Sequence, residues 1–354
     1  MSSFAIYRLP HEDHATLIRQ TSGEPEELLS CTALNGRQGF VMAPFEVTPE
    51  QPILLIRPDE VECTRGQERC VNSDRKIHIG PDPVCTDYAI DFANFHSQLE
   101  AGLFRKIVLS RCVDEELPER LTPMDLFWRA CQSYPRLFIA LAYTSKSGYW
   151  LTATPEILLE GEGADWRTIA LAGTMKLEGE QLNGEGETLS WTTKNIQEQR
   201  IVTTYITECL EQFTGDFREE GPRTVRAANL VHLRSDFTFS LPDTAHLGDL
   251  LQVLHPTPAV CGLPKREAFH FITHNEHTPR RYYSGFMGPL NLSLITHHLS
   301  LPVTHLYVSL RCMSIEGHRC HLYAGGGLLK DSVVEQEWQE TEAKLETMRS
   351  LLID

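Results

Sequence analysis

The residues from 322 to 344, LYAGGGLLKDSVVEQEWQETEAK, place three consecutive glycines directly ahead of an acidic helix. Consecutive glycines occur where the backbone turns sharply or approaches another group closely. No Gly-Lys-Ser/Thr follows them, so the stretch is not a nucleotide-binding P-loop. In the helix, Glu337, Glu340 and Lys344 share one face, about 90° from the apolar stripe. This face is either an ordinary Glu–Lys surface pair or, as the glycines favour, the wall of an anion-binding cleft.

The start of this helix is predicted from a capping-box pattern. Ser332 and Glu335 have the required spacing, so the helix is expected to begin at Val333. Glu342 and Arg349 fall on the flank opposite the acidic face and are expected to face solvent. The apolar stripe that would bury the helix consists of Val334, Trp338, Thr341, Leu345, Met348 and Leu352.

A lysine occurs within the predicted strand FRKIVLSR. Strand alternation places Lys106 on one face with Val108 and Ser110. Apolar surroundings favour the neutral amine, which can serve as a base. The alternative is an edge-strand lysine that prevents aggregation. The strand alone does not separate the two interpretations.

A carboxylate lies on the apolar face of a long predicted helix over residues 193–213. Glu198 shares this face with Tyr205 and Cys209. Such a placement is costly unless the carboxylate is paired or binds a cation. Lys194, four residues earlier, is the ordinary partner, but Lys before Glu is the weaker orientation. A hard cation, Mg²⁺ before Zn²⁺, is the sharper hypothesis.

Two further charges need partners. Glu156 follows Pro155 at the start of the segment EILLE, and Arg311 lies among apolar strand residues in LYVSLRCM. A buried arginine requires a carboxylate or another anion. Either residue could equally belong to a structural ion pair.

Alternating patterns predict the elements that carry these residues. Helices are expected over 123–134 and 193–213, and around 245–254 and 264–275, ahead of the terminal helix. The strands expected from the pattern are 105–113, 136–144, 148–154, 167–173, 230–241, 281–288, 303–313 and 319–324. Short strand connections favour an α+β fold with large antiparallel β-sheets over a doubly wound one.

Composition narrows the class of protein. The chain has 354 residues, of which 41% are hydrophobic, and a net charge of −16. This charge argues against a nucleic-acid partner. No apolar run is long enough to span a membrane and no signal peptide is recognisable, so a cytoplasmic protein is expected. The ten cysteines include no CxxC pair, which predicts reduced thiols and no zinc site.

Eight segments in order give the chain a specific resemblance from about residue 100 to its end. They resemble the chorismate-utilising enzymes, and LAGT and HPTPAVCG are most similar to isochorismate synthases. The resemblance implies a chorismate-binding, anthranilate synthase component I-like fold, with antiparallel sheets packed face to face and helices outside. The segments are FRKIVLSR, TPEILLE, LAGT, KNIQEQ, LHPTPAVCGLP, YYSGF, LYVSLRC and YAGGGLLKDSVVEQEWQETEAK. A single domain over 1–354 is expected, with 1–100 as its variable N-terminal half and 101–354 as its catalytic region.

The resemblance also implies roles for individual residues. Lys106 corresponds to a general base that activates water to attack C2 of chorismate, and Glu156 to the general acid that protonates the departing C4 hydroxyl. Glu198 and Glu340 correspond to Mg²⁺ ligands, with Glu337 supporting the ion through water. The positions that correspond to substrate-binding residues are Gly173, Thr174, His255, Tyr283, Arg311, Gly325, Gly327 and Lys344.

The chain departs from the family pattern near the expected metal site. Many relatives carry Glu-His where this chain has Glu198-Gln199, and a further Glu in place of Asn195. The expected ligand is kept, but the outer shell of the ion would differ. Residues 1–100 are shorter than the matching part of anthranilate synthase, which argues against regulation by tryptophan.

The leading functional prediction is a Mg²⁺-dependent isochorismate synthase serving menaquinone or siderophore biosynthesis. The nearest alternative is a salicylate synthase, which makes the same intermediate and then eliminates pyruvate. A non-catalytic anion-binding protein is disfavoured because the acid and base positions are both occupied. LAGT resembles the water-using enzymes rather than the ammonia-using ones, so no amidotransferase partner is expected. Chorismate is the expected ligand, and a monomer is the expected state.

Overall fold

The computed structural model describes residues 2–65, 84–176, 190–227, 230–241, 244–293 and 301–353. Within this part of the chain, eighteen strands form two nine-stranded antiparallel sheets, here called sheet A and sheet B. Six α-helices and two short 3₁₀ segments accompany the sheets. No helix in the described ranges is long and apolar enough to cross a membrane.

Sheet A carries the lysine strand and the glycine strand side by side. Its spatial order is β14-β7-β18-β17-β9-β8-β1-β2-β6. With strands numbered along the chain, the bounds are β1 Phe4–Arg8, β2 Ala15–Arg19, β6 Glu60–Thr64, β7 Lys106–Glu116, β8 Phe138–Thr144, β9 Gly148–Thr154, β14 Gly262–Leu263, β17 Cys312–Glu316 and β18 Arg319–Leu328.

Sheet B has the order β12-β13-β11-β10-β16-β15-β4-β5-β3. Its bounds are β3 Glu26–Leu28, β4 Gly39–Ala43, β5 Ile53–Ile56, β10 Ile157–Glu162, β11 Asp165–Lys176, β12 Phe217–Ala227, β13 Leu230–Ser240, β15 Phe286–Leu290 and β16 Val303–Val308. Strands from the first 100 residues thus form the far edges of both sheets.

The two sheets pack face to face through large apolar side chains. Phe138 of sheet A stacks on Tyr307 of sheet B with ring centroids 4.3 Å apart, and Tyr7 lies 6.0 Å from Phe40. All four rings are almost completely buried. Burying a side chain of this size stabilises the fold by about 1.5–3 kcal/mol. The predicted α+β fold with packed antiparallel sheets is therefore confirmed.

Helices cover the outer faces of the sheets. α3 packs on β11 of sheet B, whereas α2 and α6 pack on sheet A. The 3₁₀ segments are Cys31–Leu34 and Ser350–Leu352. The helices are α1 Thr86–Glu100, α2 Pro123–Ser133, α3 Thr193–Leu210, α4 Leu247–Leu254, α5 Lys265–Asn275 and α6 Val334–Arg349.

One strand predicted as continuous is interrupted. The sequence predicts a strand over 303–313, but β16 ends at Val308 and β17 begins at Cys312 in the other sheet. Arg311 lies in the connection with φ 47°, a left-handed conformation that is uncommon for a non-glycine residue. The chain therefore crosses between sheets at this point, and an apolar run cannot reveal such a crossing. The strand predicted over 281–288 likewise begins only at Phe286.

The predicted capping box at the start of α6 is wrong. The N-cap residue is Val333, and the Ser332 hydroxyl instead accepts a hydrogen bond from the Leu329 amide at 3.0 Å. Glu342 was also expected in solvent, yet it is buried. Its carboxylate accepts hydrogen bonds from Arg111 and Arg349, an ion-pair cluster that the helical pattern did not predict.

Candidate active site

One cavity between the sheets gathers most of the predicted site residues. It is walled by the ends of strands from both sheets, by α3 and by α6. Its lining consists of Val108, Pro155, Glu156, Leu171, Ala172, Gly173, Thr174, Glu198, His232, Ala259, Val260, Tyr283, Leu310, Arg311, Ala324, Gly325, Gly327 and Lys344. A wider groove near Tyr7, Trp166 and His305 contains none of the predicted residues. The smaller cavity is therefore the candidate active site.

Lys106 meets Glu198, one of the residues that line this cavity. Lys106 is fully buried, and its Nζ lies 2.8 Å from Oε1 of Glu198. The pair joins β7 to α3, so the lysine is neither on an exposed edge nor in apolar surroundings. Burial tends to raise the pKa of Glu198, but the Lys106 ammonium, with Lys194 and Lys344, lowers it overall. The carboxylate is therefore ionised and balances the ammonium charge.

A glycine makes this contact possible. A Cβ at Gly327 would collide with Oε1 of Glu198 and lie 2.7 Å from Cε of Lys106. β17 pairs with β18 only as far as Tyr323, so the stretch from Ala324 to Leu328 has β7 as its only strand neighbour in the described sheet. The free edge of the glycine run therefore exposes backbone groups to the cavity, as the sequence predicts.

Glu156 lies in the cavity wall as a buried carboxyl group. Glu156 is only 3% exposed. Burial raises the pKa of its carboxyl group to about 8, although the charges of Lys106, Lys344 and Arg311 act to lower it. At neutral pH most of the side chain is therefore protonated. A protonated carboxyl group in a closed cavity can donate a proton to a leaving group.

Arg311 is buried without a carboxylate partner in the described part of the chain. Its Nη2 lies 2.5 Å from Nε2 of His232, and its Nη1 donates to the Ala227 carbonyl at 3.3 Å. Burial lowers the pKa of Arg311 to about 10, while Tyr134 and Glu156 oppose that shift. A buried guanidinium in this state provides donors for a bound anion.

His232 is a site residue that the sequence analysis missed. Its Nδ1 lies 3.0 Å from the Gly173 carbonyl and 3.4 Å from Oγ1 of Thr174. Burial, together with Arg311 and Lys344, lowers the pKa of His232 well below its usual value, so the ring is neutral. The histidine therefore links Arg311 to the loop at Gly173. No spacing in β13 distinguishes it from an ordinary core histidine.

The loop at Gly173 is a bulge in β11. The pairing of β11 with β13 shifts register between Ala172 and Thr174, and Gly173 has φ 69°. Its amide donates to Oε2 of Glu198 at 3.2 Å. Gln199 also binds this strand, since its Oε1 accepts from the Ala172 amide at 2.9 Å. Gln199, the residue that departs from the family pattern, therefore uses its side-chain amide to fix the position of β11.

The acidic face of α6 is neutralised by lysines. Lys194 donates a hydrogen bond to Oε1 of Glu337, and Lys344 Nζ lies 2.7 Å from Oε1 of Glu340 and 2.8 Å from the Gly325 carbonyl. Helix spacing suggested Lys194 as the partner of Glu198. In the structure Lys194 pairs with Glu337 instead. This pairing between α3 and α6 is a second contact that the sequence did not predict.

Glu337 has the features expected of a cation ligand. It is 1% exposed, and its Oε2 has no hydrogen-bond partner among the described residues. Burial raises its pKa, and the neighbouring Glu340 raises it further. Carboxylate oxygens are the donors that Mg²⁺ prefers. Glu198, Glu337 and Glu340 therefore fit a hard cation chemically, although their oxygens are each held by lysines rather than converging within 4.8 Å.

His255 lies outside the cavity lining, as do Lys106, Glu337 and Glu340. Its ring packs edge-on against Phe286 at 5.0 Å between centroids, and burial lowers its pKa to about 3. Ala259 and Val260, from the same segment, line the cavity in its place. The role of His255 beside the substrate therefore stays a prediction. Tyr283, in contrast, lies at the cavity with its hydroxyl beside Gly325.

The chain belongs to the chorismate binding enzyme family, whose model matches residues 65–353. It is 27% identical to the isochorismate synthase DhbC of Bacillus subtilis over 98% of this chain and 89% of the relative. It is 34% identical to the isochorismate synthase MenF of Escherichia coli over 60% of this chain and 47% of the relative. The salicylate biosynthesis isochorismate synthase of Pseudomonas aeruginosa is 31% identical over 72% of this chain and 52% of its own length.

Solved structures support the same fold. The menaquinone-specific isochorismate synthase MenF of Escherichia coli superposes with a TM-score of 0.79 at 22% identity, covering 99% of this chain and 89% of that one. Anthranilate synthase component I of Streptococcus pneumoniae gives a TM-score of 0.62 at 21% identity, covering 77% and 58%. At these identities the structures establish the fold alone.

Proposed function

We propose that this chorismate-binding enzyme is an isochorismate synthase, which moves a hydroxyl group from C4 to C2 of chorismate. The observation that carries the proposal is the buried Glu156 in the cavity wall, whose pKa is raised to about 8 and which lies close enough to Lys106 for the charge of that lysine to act on it. An isomerisation by water attack and hydroxide loss needs one acid and one base in opposite protonation states. Isochorismate synthases among the relatives support this assignment.

The proposed acid step uses the carboxyl proton of Glu156. Water forms a bond to C2, the two ring double bonds shift away from C2 toward C4, and the C4 hydroxyl leaves as water once it receives this proton. Glu156 is then a carboxylate facing Lys106, Lys344 and Arg311, the cations that already favour its ionised form. A positioned acid of this kind contributes about 10²–10⁴-fold to the rate.

The proposed base step removes a proton from the attacking water. Lys106 must be a neutral amine to accept that proton, whereas in this structure it forms an ion pair with Glu198. We therefore assign Glu198 a second partner in the working enzyme. Once its carboxylate is engaged elsewhere, Lys106 is released from this ion pair and can act as the base.

Mg²⁺ is the proposed second partner, held by Glu198 and Glu340 with Glu337 nearby. When bound, Mg²⁺ would hold a substrate carboxylate and offset its charge. The unpartnered Oε2 of Glu337 supports a cation at this position. The lysines on Glu337 and Glu340 would have to give way to the ion or share the carboxylates with it.

Chorismate carries two carboxylates, and the cavity supplies cations for them. The net charge of −16 would repel a dianion at long range, so binding must depend on local groups. Arg311 provides a guanidinium without a carboxylate partner among the described residues, and Lys344 provides an ammonium. We assign these two residues, with the free backbone edge at Gly325 and Gly327, to the substrate carboxylates.

Product analysis tests the proposal. The purified chain is incubated with chorismate and Mg²⁺, and the products are separated by liquid chromatography. We expect isochorismate in the wild type and a loss of at least about 10²-fold in Lys106→Gln, with Lys330→Gln, which changes an exposed lysine, as the control. Release of salicylate and pyruvate would instead identify a salicylate synthase, and unchanged chorismate would refute both.

A further inference from the structure

Three potential metal ligands from two neighbouring strands converge away from the candidate active site. Cys112 and Asp114 lie two residues apart on β7, so their side chains share one face. His321 of β18 is paired directly opposite Asp114. One ligand atom from each of the three side chains lies within 4.8 Å of the other two. Within the described residues, no other group of three or more His, Cys, Asp or Glu side chains brings its ligand atoms this close together.

We propose that Cys112, Asp114 and His321 form a Zn²⁺-binding site, with its fourth position open to solvent. A thiolate and an imidazole together favour a borderline ion such as Zn²⁺ over Mg²⁺ or Ca²⁺. Two residues at i and i+2 plus their cross-strand neighbour give three ligands on one face. Zinc sites with three protein ligands keep the fourth position for water or another small ligand.

The distances suit coordination after a small movement. Nδ1 of His321 lies 2.6 Å from Oδ1 of Asp114. At usual Zn–N and Zn–O lengths, tetrahedral ligands are about 3.3 Å apart, so this contact must open by less than about 1 Å. The Asp114 side chain is 57% exposed and can make this change by rotation. The sulfur of Cys112 lies within 4.8 Å of both.

The charges around the site are compatible with a divalent ion. Arg281 lies close enough to the thiol for its charge to act on it, and it forms an ion pair with Glu316 at 2.7 Å. Arg281 and, to a smaller extent, His321 lower the pKa of Glu316. Cys112 is six residues from Lys106, about 20 Å along the strand. The zinc site is therefore separate from the catalytic cavity, but it would join the two strands that carry Lys106 and the glycine run.

The sequence rule that excluded zinc does not apply to this arrangement. That rule looks for cysteine pairs close together in the chain, whereas here Asp114 and His321 are 207 residues apart in sequence. The β7–β18 pairing alone brings them together. Because residue spacing does not specify that register, the group becomes visible only in the folded structure.

Cobalt binding tests the site. The full chain, in excess Mg²⁺ to fill any carboxylate site, is titrated with Co²⁺, whose bond to a thiolate absorbs in the near ultraviolet. We expect one equivalent to produce this band and Zn²⁺ to remove it. Cys112→Ser should abolish the band, and His321→Gln should weaken Co²⁺ binding at least about tenfold. Cys63→Ser, which changes an exposed cysteine outside the site, should leave the band unchanged.

Two results would overturn the zinc proposal. One is a wild-type protein without the thiolate band at any Co²⁺ concentration that leaves it folded. The other is a band that persists in Cys112→Ser, which would place the metal on another cysteine. Circular dichroism verifies that each variant folds, and Asp114→Asn, at an exposed position, replaces any variant that does not. Loss of chorismate turnover has no bearing on this test, so the two proposals fail independently.

Discussion

Lys194 of α3 donates a hydrogen bond to Glu337 of α6, so an ammonium group occupies the acidic face that the family resemblance assigns to a metal ion. Burial disfavours the Lys194 charge, but Glu337, Glu340 and Glu198 raise the pKa of this lysine overall. All three carboxylates proposed for the metal site thus stabilise the charged form of Lys194. Lys194 provides the positive charge that these carboxylates require when no divalent ion is bound.

Replacing Lys194 should make the protein dependent on the divalent ion for stability. Lys194→Met leaves Glu337 buried without its partner, which costs about 3–5 kcal/mol in a metal-free protein. We expect a lower Tm without Mg²⁺ and a larger increase in Tm on adding Mg²⁺ than in the wild type. Arg200→Met, at an exposed position of the same helix, is the control. A Tm loss that Mg²⁺ does not reverse would contradict the metal assignment.

Replacing Glu198 should weaken Mg²⁺ binding directly. Glu198→Gln removes a charged oxygen ligand but keeps the side-chain shape, so we expect an affinity at least about tenfold lower. Isothermal titration of Mg²⁺ into the chorismate-free protein measures this without relying on turnover. Glu208→Gln, which changes an exposed glutamate of α3, should bind Mg²⁺ as the wild type does. Equal affinities for all three proteins would remove Glu198 from the ligand set.

The raised pKa of Glu156 predicts how activity depends on pH. Because the acid must be protonated, kcat/KM should fall as pH rises through about 8, the pKa of this carboxyl group. The profile is measured in buffers of constant ionic strength with saturating Mg²⁺. A kcat/KM that stays constant up to about pH 9.5 would show that Glu156 is not the acid.

The same group predicts a pH dependence of stability. Between its usual pKa of 4.5 and its folded value of about 8, Glu156 holds its proton in the folded protein but not in the unfolded chain. The free energy of unfolding therefore decreases as pH rises through this window. Glu156→Gln should be inactive yet more stable at pH 8, by on the order of a few kcal/mol. Urea denaturation at pH 5 and pH 8 measures the difference, and a variant no more stable than wild type at pH 8 would contradict it.

Arg311 should contribute to substrate binding through its planar guanidinium. Arg311→Lys keeps the charge but loses the paired donors, so kcat/KM for chorismate should fall about 10–100-fold. We expect most of this decrease in kcat/KM to come from a higher KM rather than a lower kcat. Arg319→Lys, which changes an exposed arginine of β18, is the matched control. Wild-type KM in Arg311→Lys would place the substrate carboxylates elsewhere.

The sequence predicted much of the fold and less of its connections. Alternating apolar residues identified β7 and β9 because each strand buries a face in the core. The first 100 residues were predicted only as the variable half of the domain, with no individual elements, although they supply six strands. Short strands such as β3 Glu26–Leu28 carry too few residues to establish a period.

Site residues could be predicted where the sequence around a single residue is unusual. Lys106 and Glu198 are charged residues within apolar patterns. The sequence therefore shows that each is a charge that would be costly to bury without a partner. Their mutual ion pair could not be predicted, because it depends on how α3 lies relative to β7 in the folded chain. His232 and the Lys194–Glu337 pair were missed for the same reason, since each joins elements far apart in the chain.

Turnover in ¹⁸O-labelled water is the decisive experiment, because the proposed reaction replaces the C4 hydroxyl with an oxygen from solvent at C2. The wild-type protein, chorismate and Mg²⁺ are incubated in labelled water, and the product is analysed by mass spectrometry. We expect isochorismate that carries one ¹⁸O at the C2 hydroxyl. Isochorismate without the label, or no isochorismate at all, would contradict the proposed reaction.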